Sequence, residues 1–436
     1  MLINDQMERQ LTFIIILLAT LIIFGYTIVR FVVYFRITRP YPIRNIGDRI
    51  VLLLKVALFQ SKIFRHPVIG LLHALVFWGF CIISAGTIEM VIDGIFGTDK
   101  ILSDLGFFYQ LLTASGDIFA LLVLISIFVF IFRRLFMRVR RFTGIEMKET
   151  SHLDAITALF LIFLLMISLL GMNTFDILYN KENVSGIFPV SKWIAPFFHD
   201  LTGEQSHIYF EFNWWFHVVL IFIFANYLPY SKHFHVFMSV PNVFLSRMEP
   251  LGKLQNMDCV AREVRMMFDS KNTEEAACEP SEMSRFGVLD VTDVTWKNYL
   301  DSLTCTECGR CTAVCPANIT GKKLSPRKIM MDLRARMKEK GNGIMKNSRD
   351  FDDGRSLLGD YITEEELWAC TTCNACAKEC PVNINHPSLI VDMRRYLVME
   401  KASAPSGLNS IFANIENNGS PWQISWEDRM KWAENM

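Results

Sequence analysis

Several signatures of soluble enzymes are missing from this sequence. No G-x-G-x-x-G motif opens a strand–helix unit and no Walker loop occurs, so neither common phosphate-binding loop predicts a nucleotide site. The 44 basic and 44 acidic residues leave no net charge, which gives no reason to expect nucleic acid. No small-residue cleavage site follows the first apolar run, which is also too long for a cleavable signal peptide.

Eight of the eleven cysteines form two runs of identical spacing, C-x2-C-x2-C-x3-C-P. This spacing is typical of [4Fe–4S] clusters, in which three thiolates lie on one loop and the fourth reaches the other cluster. It predicts one cluster held by Cys305, Cys308, Cys311 and Cys380, and a second held by Cys370, Cys373, Cys376 and Cys315. Zinc is the weaker interpretation, because zinc motifs need neither the third close thiolate nor the proline.

The other three cysteines do not extend this pattern. Cys81 lies in an apolar run and is expected to pack there, while Cys259 and Cys278 lie in a mixed-charge segment without an evident ligand partner. No cysteine follows Cys380, so no further cysteine-rich domain follows the two runs in this sequence. The cluster thiolates require a reducing compartment.

Apolar residues concentrate before residue 240 and charged residues after it. Five apolar stretches are long enough for a membrane-spanning helix, which needs about 20 residues. We predict spans at Leu11–Tyr34, Val68–Ile92, Phe107–Phe132, Leu153–Met172 and Asn213–Phe237.

Loop charges predict the orientation. Residues 34–66 carry seven Lys or Arg and residues 133–152 carry six, whereas residues 94–106 carry one and residues 173–212 carry two. Because positive loops stay in the cytoplasm, the N-terminus is expected outside the cytoplasmic (inner) membrane and the cysteine runs inside.

The 54 residues between the cysteine runs are too many for a compact ferredoxin hairpin. Ser325-Pro326 predicts a helix start that continues through Arg327–Lys340, Thr363 opens a second helix, and His386-Pro387 opens a third that ends at Glu400. The predicted fold is mainly α. A five-helix transmembrane haem-binding bundle (1–240) precedes a linker (241–290), a cytoplasmic helical di-[4Fe–4S] ferredoxin domain (291–400) and a tail (401–436). The segment Glu274–Ser281 is expected to be flexible, and Trp422, Trp426 and Trp432 predict a partner contact in the tail.

Four histidines lie at or within the apolar stretches, namely His66, His73, His217 and His235. An imidazole inside the membrane is costly and therefore a functional candidate by default. Axial ligation of haem iron from two facing helices suits these residues best, and a hydrogen bond to a neighbouring helix is the ordinary alternative.

Depth in the membrane indicates which two histidines could bind the same haem iron. His217 and His235 are 18 residues apart, which is about 27 Å along one continuous helix, so they would lie near opposite faces. His73 is about 10 Å deeper from the cytoplasmic side than His66. The predicted haem pair is His73 with His235, and His66 with His235 is the fallback; His233 would point from another face of the helix.

His217 has no imidazole at its depth in the second stretch. If the helices are strongly offset, its partner could be His66 or His73. Otherwise the partner could be His199 or His207 in the loops, or a ligand that is not histidine. The sequence therefore predicts one haem b and leaves a second haem open.

The stretch from His217 to Arg247 resembles the last helix of the respiratory nitrate reductase gamma subunit, a five-helix di-haem quinol-oxidising anchor with two histidines 18 residues apart. This resemblance implies that His217 is the outer haem ligand, His235 the inner one and quinone a substrate. The family has two ligands ten residues apart in its second helix, and if His73 is the inner one, the outer position falls on Ile83, which cannot ligate. The soluble half resembles the ferredoxin domain found in the C subunit of heterodisulfide reductase. The two resemblances cover roughly residues 10–245 and 290–400.

Other polar residues lie within the predicted spans, namely Glu89, Ser115 and Asp117. They could carry protons from a quinol, or they could be buried and hydrogen-bonded to neighbouring helices. The sequence does not choose between these two roles.

These features predict a membrane-bound electron-transfer subunit of a quinone-linked oxidoreductase complex, without a substrate site of its own. Electrons would pass between membrane quinone and a separate cytoplasmic flavoprotein or cysteine-rich iron–sulfur subunit, through haem b and two [4Fe–4S] clusters. One alternative is a membrane-tethered redox sensor or scaffold, which needs no ligands in its helices. Another is a ferredoxin-type subunit of an ion-translocating complex, which would require more intramembrane carboxylates.

Overall fold

The computed structural model describes residues 2–144, 146–181, 184–268 and 285–434. Within those ranges the chain is mainly helical and forms no strand, only two isolated bridges. The α-helices in chain order are α1 (Leu2–Arg36), α2 (Ile46–Leu53), α3 (Pro67–Phe96), α4 (Phe107–Phe136), α5 (Glu149–Asn180), α6 (Pro189–Ile194), α7 (Gly203–Tyr227), α8 (His235–Phe244), α9 (Asp258–Phe268), α10 (Trp296–Thr304), α11 (Arg310–Ala313), α12 (Pro316–Ile319), α13 (Pro326–Lys346), α14 (Glu364–Trp368), α15 (Ala375–Glu379), α16 (His386–Met399) and α17 (Ser406–Asn418).

Five helical segments are long and apolar enough to cross a membrane, as the sequence predicts. They are Gln6–Arg36, Pro67–Phe96, Phe107–Phe136, Glu149–Asn180 and Gly203–Tyr230. The first four contain the predicted spans, and only the C-terminal boundary of the fifth prediction was wrong.

The fifth span ends before His235, where a continuous helix was expected. Helix α7 stops at Tyr227 and two short 3-10 turns, Leu228–Tyr230 and Lys232–Phe234, precede α8. Pro229 lacks a backbone N–H, and the extended backbone of Ser231 lets its hydroxyl accept a hydrogen bond from the N–H of His233. The expected separation of His217 and His235 along one helix therefore does not apply.

The buried carboxylates of the bundle are occupied by hydrogen bonds. Asp117 accepts bonds from the backbone N–H of Val190 and Ser191 at 2.7 and 3.0 Å, from the Ser191 hydroxyl at 2.6 Å and from the Asn173 amide at 3.2 Å. It thereby fixes the start of α6 against α4. Glu89 accepts from the N–H of Leu102 at 3.0 Å, and the Ser115 hydroxyl donates to the carbonyl of Leu112. These hydrogen bonds support a structural role for Asp117, Glu89 and Ser115 in the bundle.

The predicted helix starts of the soluble half are confirmed. Ser325 caps α13 and accepts from the N–H of Lys328, with Pro326 at the first helical position. Thr363 caps α14 in a reciprocal capping box with Glu366. Helix α16 begins at His386 and ends one residue before Glu400, whereas α13 runs six residues past the expected end at Lys340.

The membrane half and the C-terminal half share one apolar core. Tyr34 and Phe234 from the membrane half are buried together with Tyr299, Leu303 and the apolar faces of α13 and α16. The guanidinium of Arg39, just past α1, pairs with Asp293 at 3.0 Å. The C-terminal half is therefore packed directly on one end of the bundle.

Three sequence predictions concern the linker and the remaining cysteines. Helix α9 lies within the predicted linker and contains Cys259. Glu274–Ser281 and Cys278 lie outside the described residues. Cys81 was expected to pack inside, but it is exposed on α3, since a spanning helix can direct an apolar thiol toward lipid.

Candidate functional site

The two cysteine loops share their backbone conformation as well as their spacing. In the first loop Glu307 and Gly309 have φ of 57° and 72°, and in the second Thr372 and Asn374 have φ of 54° and 60° at the equivalent positions. Left-handed residues are uncommon except for glycine and, to a lesser extent, asparagine, so their recurrence at the same two positions indicates that both loops use one turn geometry. Each loop wraps backbone around its first three thiols.

The fourth cysteine of each run lies near the other loop. Cys380 interacts electrostatically with Cys305, Cys308 and Cys311, and Cys315 with Cys370 and Cys376. The exchange of fourth ligands between the two loops stays a prediction. Among the described residues, no three His, Cys, Asp or Glu side chains converge as the ligands of a single metal ion do.

Burial has the largest effect on the pKa values of the cysteine thiols. It raises the pKa of Cys305 to about 11 and the pKa values of Cys376 and Cys380 to about 12. Such thiols would stay protonated at neutral pH without a cation nearby. Binding of iron favours the thiolate form, which offsets this desolvation.

The first cysteine loop is clamped to the membrane half through Glu307. Its carboxylate pairs with Arg334 of α13 and with Lys232 (3.4 Å to Nζ), and it accepts a hydrogen bond from Ser151 at the start of α5. Burial favours the protonated form of Glu307, but Arg334 and Lys232 outweigh it and hold its pKa below the usual range. The clamp therefore joins this loop to the turn that precedes His235.

A second clamp lies beside the first. Arg327 of α13 is 1% exposed and pairs with Glu146 at 2.6 Å. The same guanidinium donates to the carbonyl of Arg141 at 2.7 Å. The loop between α4 and α5 is thereby held against the C-terminal half.

The second cysteine loop faces outward. Cys373 is exposed, as are Thr371 and Thr372 before it. Arg394 of α16 donates to the backbone carbonyl of Cys370 and lies 4.9 Å from the centre of the Trp368 ring. This loop is thus supported from within the C-terminal half and open to solvent.

A cavity of about 590 Å³ lies inside the bundle and reaches the first cysteine loop. Its walls come from α3, α4, α5, α7 and α8, and the end beside the C-terminal half includes Thr306, Cys308, Arg310, Pro381 and Val382. The volume is in the range typical of cofactor and ligand pockets. The cavity connects the membrane interior to one cluster motif.

The structure brings the predicted inner histidines together across this cavity. The rings of His73 and His235 have centres 6.4 Å apart and planes inclined by 31°. Nδ1 of His235 donates to the carbonyl of Lys232 at 3.1 Å, which leaves Nε2 with a free lone pair. Nδ1 of His73 is buried without a hydrogen-bond partner among the described residues.

His233 was expected on another face, but it lines the same cavity, with its ring centre 5.9 Å from that of His235. The prediction was wrong because it assumed a continuous helix through this segment. Nδ1 of His233 lies 3.1 Å from the Ser231 hydroxyl. The break at Pro229 was the sequence signal that could have revealed this arrangement.

His217 lies in the deeper part of the cavity and is 3% exposed. Its Nδ1 is 2.8 Å from the hydroxyl of Ser168, and Ile83 lines the same cavity. Neither of its candidate loop partners is among the cavity-lining residues: His199 pairs with Asp200, and the His207 ring packs on Tyr179.

His66 lies outside the cavity. It precedes α3 as its N-cap, its side chain is 51% exposed, and its Nε2 is 3.8 Å from the carboxylate of Glu379. The fallback pair of His66 with His235 is therefore not brought together.

Basic side chains line the end of the cavity beside the first cysteine loop, namely Arg133, Arg134, Arg141, Lys232 and Arg310. Arg133 and Arg134 lie over the Phe142 ring at 5.5 and 4.6 Å. Nε of Arg141 is buried and has no hydrogen-bond partner in the described part of the chain. This end of the cavity is thus suited to an anionic group.

Residues 304–384 match the model of the 4Fe-4S dicluster domain. Over 404 residues the chain is 30% identical to the probable iron-sulfur-binding oxidoreductase FadF of Bacillus subtilis, covering 86% of this chain and 53% of that protein. It is 28% identical over 399 residues to the EtfAB:quinone oxidoreductase of Syntrophomonas wolfei, covering 86% and 52%. The chain therefore spans about half the length of these relatives.

The predicted likeness of the soluble half to heterodisulfide reductase is also found. Over 107 residues the chain is 36% identical to the C subunit of the ferredoxin/F(420)H(2)-dependent CoB-CoM heterodisulfide reductase of Methanosarcina acetivorans, covering 24% of this chain and 52% of that protein. No solved structure gives a significant match. The chain is a helical membrane protein with a C-terminal 4Fe–4S dicluster domain, and its relatives associate it with oxidoreductase electron transfer.

Proposed function

We propose that this chain is a membrane-bound electron-transfer subunit that moves electrons between membrane quinone and a cytoplasmic redox partner. The path would use haem b and then two [4Fe–4S] clusters. The observation that carries the proposal is the single cavity whose walls contain both the His73–His235 pair and Cys308 of the first cysteine loop. The quinone-linked relative supports the membrane end of the path.

The two histidine rings fit one haem iron. With an iron–nitrogen bond of about 2 Å and a ring radius of roughly 1.2 Å, imidazoles on opposite sides of one iron would have centres roughly 6 Å apart. The observed separation is 6.4 Å. The bond from Nδ1 of His235 to the Lys232 carbonyl is the usual support of a metal-ligating histidine. His73 and His235 would hold the iron, and haem b would supply reversible one-electron transfer.

The basic end of the cavity supports the same fit. Haem b carries two carboxylates, and Arg133, Arg134 and Arg141 form no ion pair with any described carboxylate. These guanidinium groups would bind and orient the carboxylates at the cytoplasmic end. The apolar walls exclude water from the remainder of the cavity.

For the clusters we propose the exchanged ligand sets. Cys305, Cys308, Cys311 and Cys380 would hold cluster one, and Cys370, Cys373, Cys376 and Cys315 would hold cluster two. Cluster one then adjoins the cavity through Cys308, and cluster two lies at the surface through Cys373. The exposed loop is where a separate cytoplasmic flavoprotein or cysteine-rich iron–sulfur subunit would exchange electrons.

The proposed orientation places the cytoplasmic half inside the cell, as the positive loops favour. Val184→Cys should react in intact cells with a thiol reagent that cannot cross membranes, and Met147→Cys should not. The opposite labelling pattern would reverse the orientation and remove the cytoplasmic partner.

The haem spectrum tests the proposed function. Purified protein should show a low-spin b-type spectrum, and His73→Ala or His235→Ala should abolish it because one of the two residues that would hold the iron is lost. His66→Ala is the matched control and should keep the spectrum, since that side chain lies outside the cavity. Protein with intact clusters and no haem would overturn the proposal and favour a membrane-tethered iron–sulfur sensor.

A further inference from the structure

We infer that the deep half of the cavity is a quinol site in which His217 acts as the proton acceptor, rather than the site of a second haem. This inference rests on the proposed function, because it assumes that His73 and His235 hold a haem at the cytoplasmic end. The ligand would be the head group of a benzoquinol or naphthoquinol, and Nε2 of His217 would accept a proton from it. The hydrogen bonding of His217 and two features of the cavity wall carry the inference.

The hydrogen bonds of Ser168 define the state of the His217 ring. The Ser168 hydroxyl donates its one proton to the carbonyl of Leu165 at 3.0 Å. It can then only accept at the 2.8 Å contact with Nδ1 of His217, so Nδ1 carries the ring proton. Nε2 is left with a lone pair and forms no hydrogen bond with any described residue. A neutral imidazole held in this way is a suitable proton acceptor.

The wall around His217 does not provide a second imidazole. Besides His217, the histidines that line the cavity are His73, His233 and His235, and their rings form a cluster with neighbouring centres 6.4 and 5.9 Å apart. The position ten residues after His73 is Ile83, which lines the cavity with a hydrocarbon side chain. A bis-histidine haem at His217 would need a ligand that this wall lacks.

The deep half is also accessible from the lipid side. Phe80 and Ile88 line the cavity and are 40% and 61% exposed. Such exposure on wall residues of a membrane bundle indicates a lateral opening between apolar side chains. The hydroxyls of Ser84 and Thr87 also line this region, although each donates to its own helix. A lipid-soluble head group could therefore enter without crossing water.

The reaction balances with His217 as the base for one of the two protons. Oxidation of a quinol releases two protons and two electrons. Nε2 of His217 takes the proton of the nearer hydroxyl as one electron leaves toward the His73–His235 end. The far hydroxyl releases the second proton to solvent as the second electron leaves, and His217 gives up its proton before the next turnover. The quinol is oxidised to quinone, and the cytoplasmic redox partner is reduced. Quinone reduction follows the same steps in reverse.

The test uses the full-length protein in detergent with duroquinol as the probe. His217→Gln should keep the haem content and low-spin spectrum of the wild type while duroquinol reduces its haem about 100-fold more slowly, a loss typical of a general base. The wild-type rate should rise with pH as Nε2 loses its proton, and the variant should lose this dependence. Ile83→Trp should fill the deep half and slow duroquinol similarly, with haem retained.

Each outcome is informative. If His217→Gln loses half of the haem, His217 is a haem ligand and the inference is overturned. If the variant is reduced by duroquinol at the wild-type rate and with the wild-type pH profile, His217 is not the base. Should His217→Gln fail to assemble, Ile83→Trp and the wild-type pH profile decide the question. Failure of the proposed function is distinct, because the wild-type protein itself would then lack haem or resist duroquinol.

Discussion

The two cysteine loops have the same spacing and the same left-handed positions, yet they lie in different surroundings. Cys305 and Cys311 of the first loop are 6% and 7% exposed, and Glu307 between the cysteines is fixed by charges from both halves of the chain. In the second loop Cys373 is exposed and the equivalent position to Glu307 is the uncharged Thr372. A motif therefore specifies what is bound, whereas its surroundings specify with which neighbour it can exchange electrons.

The largest expected effect comes from removing one thiolate that connects the loops. Cys315→Ser should remove cluster two and keep cluster one, because Cys315 lies near Cys370 and Cys376 of the second loop. Iron content should fall from about eight to about four per chain. Loss of cluster one alone, seen by electron paramagnetic resonance, would contradict the exchanged ligand sets; Cys81→Ser is the control that should change neither.

The next prediction compares the buried pair of Arg327 and Glu146, beside the first cysteine loop, with an exposed ion pair near the second. Arg327→Met would leave Glu146 buried without its partner and should lower the free energy of unfolding by about 3–5 kcal/mol. Lys323→Met removes an ion pair with Glu365 whose side chains are 65% and 61% exposed, and should cost about 0–1 kcal/mol.

Thermal bleaching of cluster absorbance, followed in the same detergent, measures both variants. Equal midpoints for Arg327→Met and Lys323→Met would show that the buried clamp does not hold the halves together. A large loss of stability in Lys323→Met alone would instead show that the exposed ion pair contributes more to stability than the buried clamp.

Thiol labelling compares the loops within one chain. After iron has been removed with a chelator under reducing conditions, a water-soluble maleimide should modify Cys373 several-fold faster than Cys308, its counterpart in the first loop. Reactivity follows exposure and thiolate character, and Cys308 is only partly exposed at the end of the cavity. Equal rates, read by mass spectrometry of peptides, would mean that the loops do not differ in access.

The sequence predicted the features that depend on local spacing. The cysteine runs, the spanning helices and the starts of α13 and α14 each follow from residues close together in the chain. The pairing of His73 with His235 was also predicted, although the assumed continuous helix was wrong. Depth counted along the two helices was sufficient, because the turns after Tyr227 keep His235 level with His73.

Features that depend on distant residues could not be predicted. The clamp between Arg327 and Glu146 joins residues that are 181 positions apart in the chain. No local sequence pattern at either residue indicates the other as its partner. The shared core of Tyr34 and Tyr299 likewise depends on how the two halves dock. The cavity is defined by five helices at once, so its volume and its contact with Cys308 required the structure.

The smallest expected effect is the pH dependence of the buried clamp. Burial favours the protonated form of Glu146, but hydrogen bonds from Ser325 and Arg327 together with the charge of Arg327 outweigh it, so its pKa lies below the usual range. A lowered folded-state pKa stabilises the fold above the unfolded-state value of about 4.3, and this contribution is lost as the pH falls through the folded-state value. The stability advantage of the wild type over Glu146→Gln should therefore be full near neutral pH and shrink below about pH 4.3. Bleaching midpoints taken across this range measure the difference, which should stay smaller than the loss in Arg327→Met. Glu365→Gln, at an exposed ion pair, is the matched control; if its difference from the wild type shrinks equally, the acid sensitivity does not belong to the clamp of the inner loop.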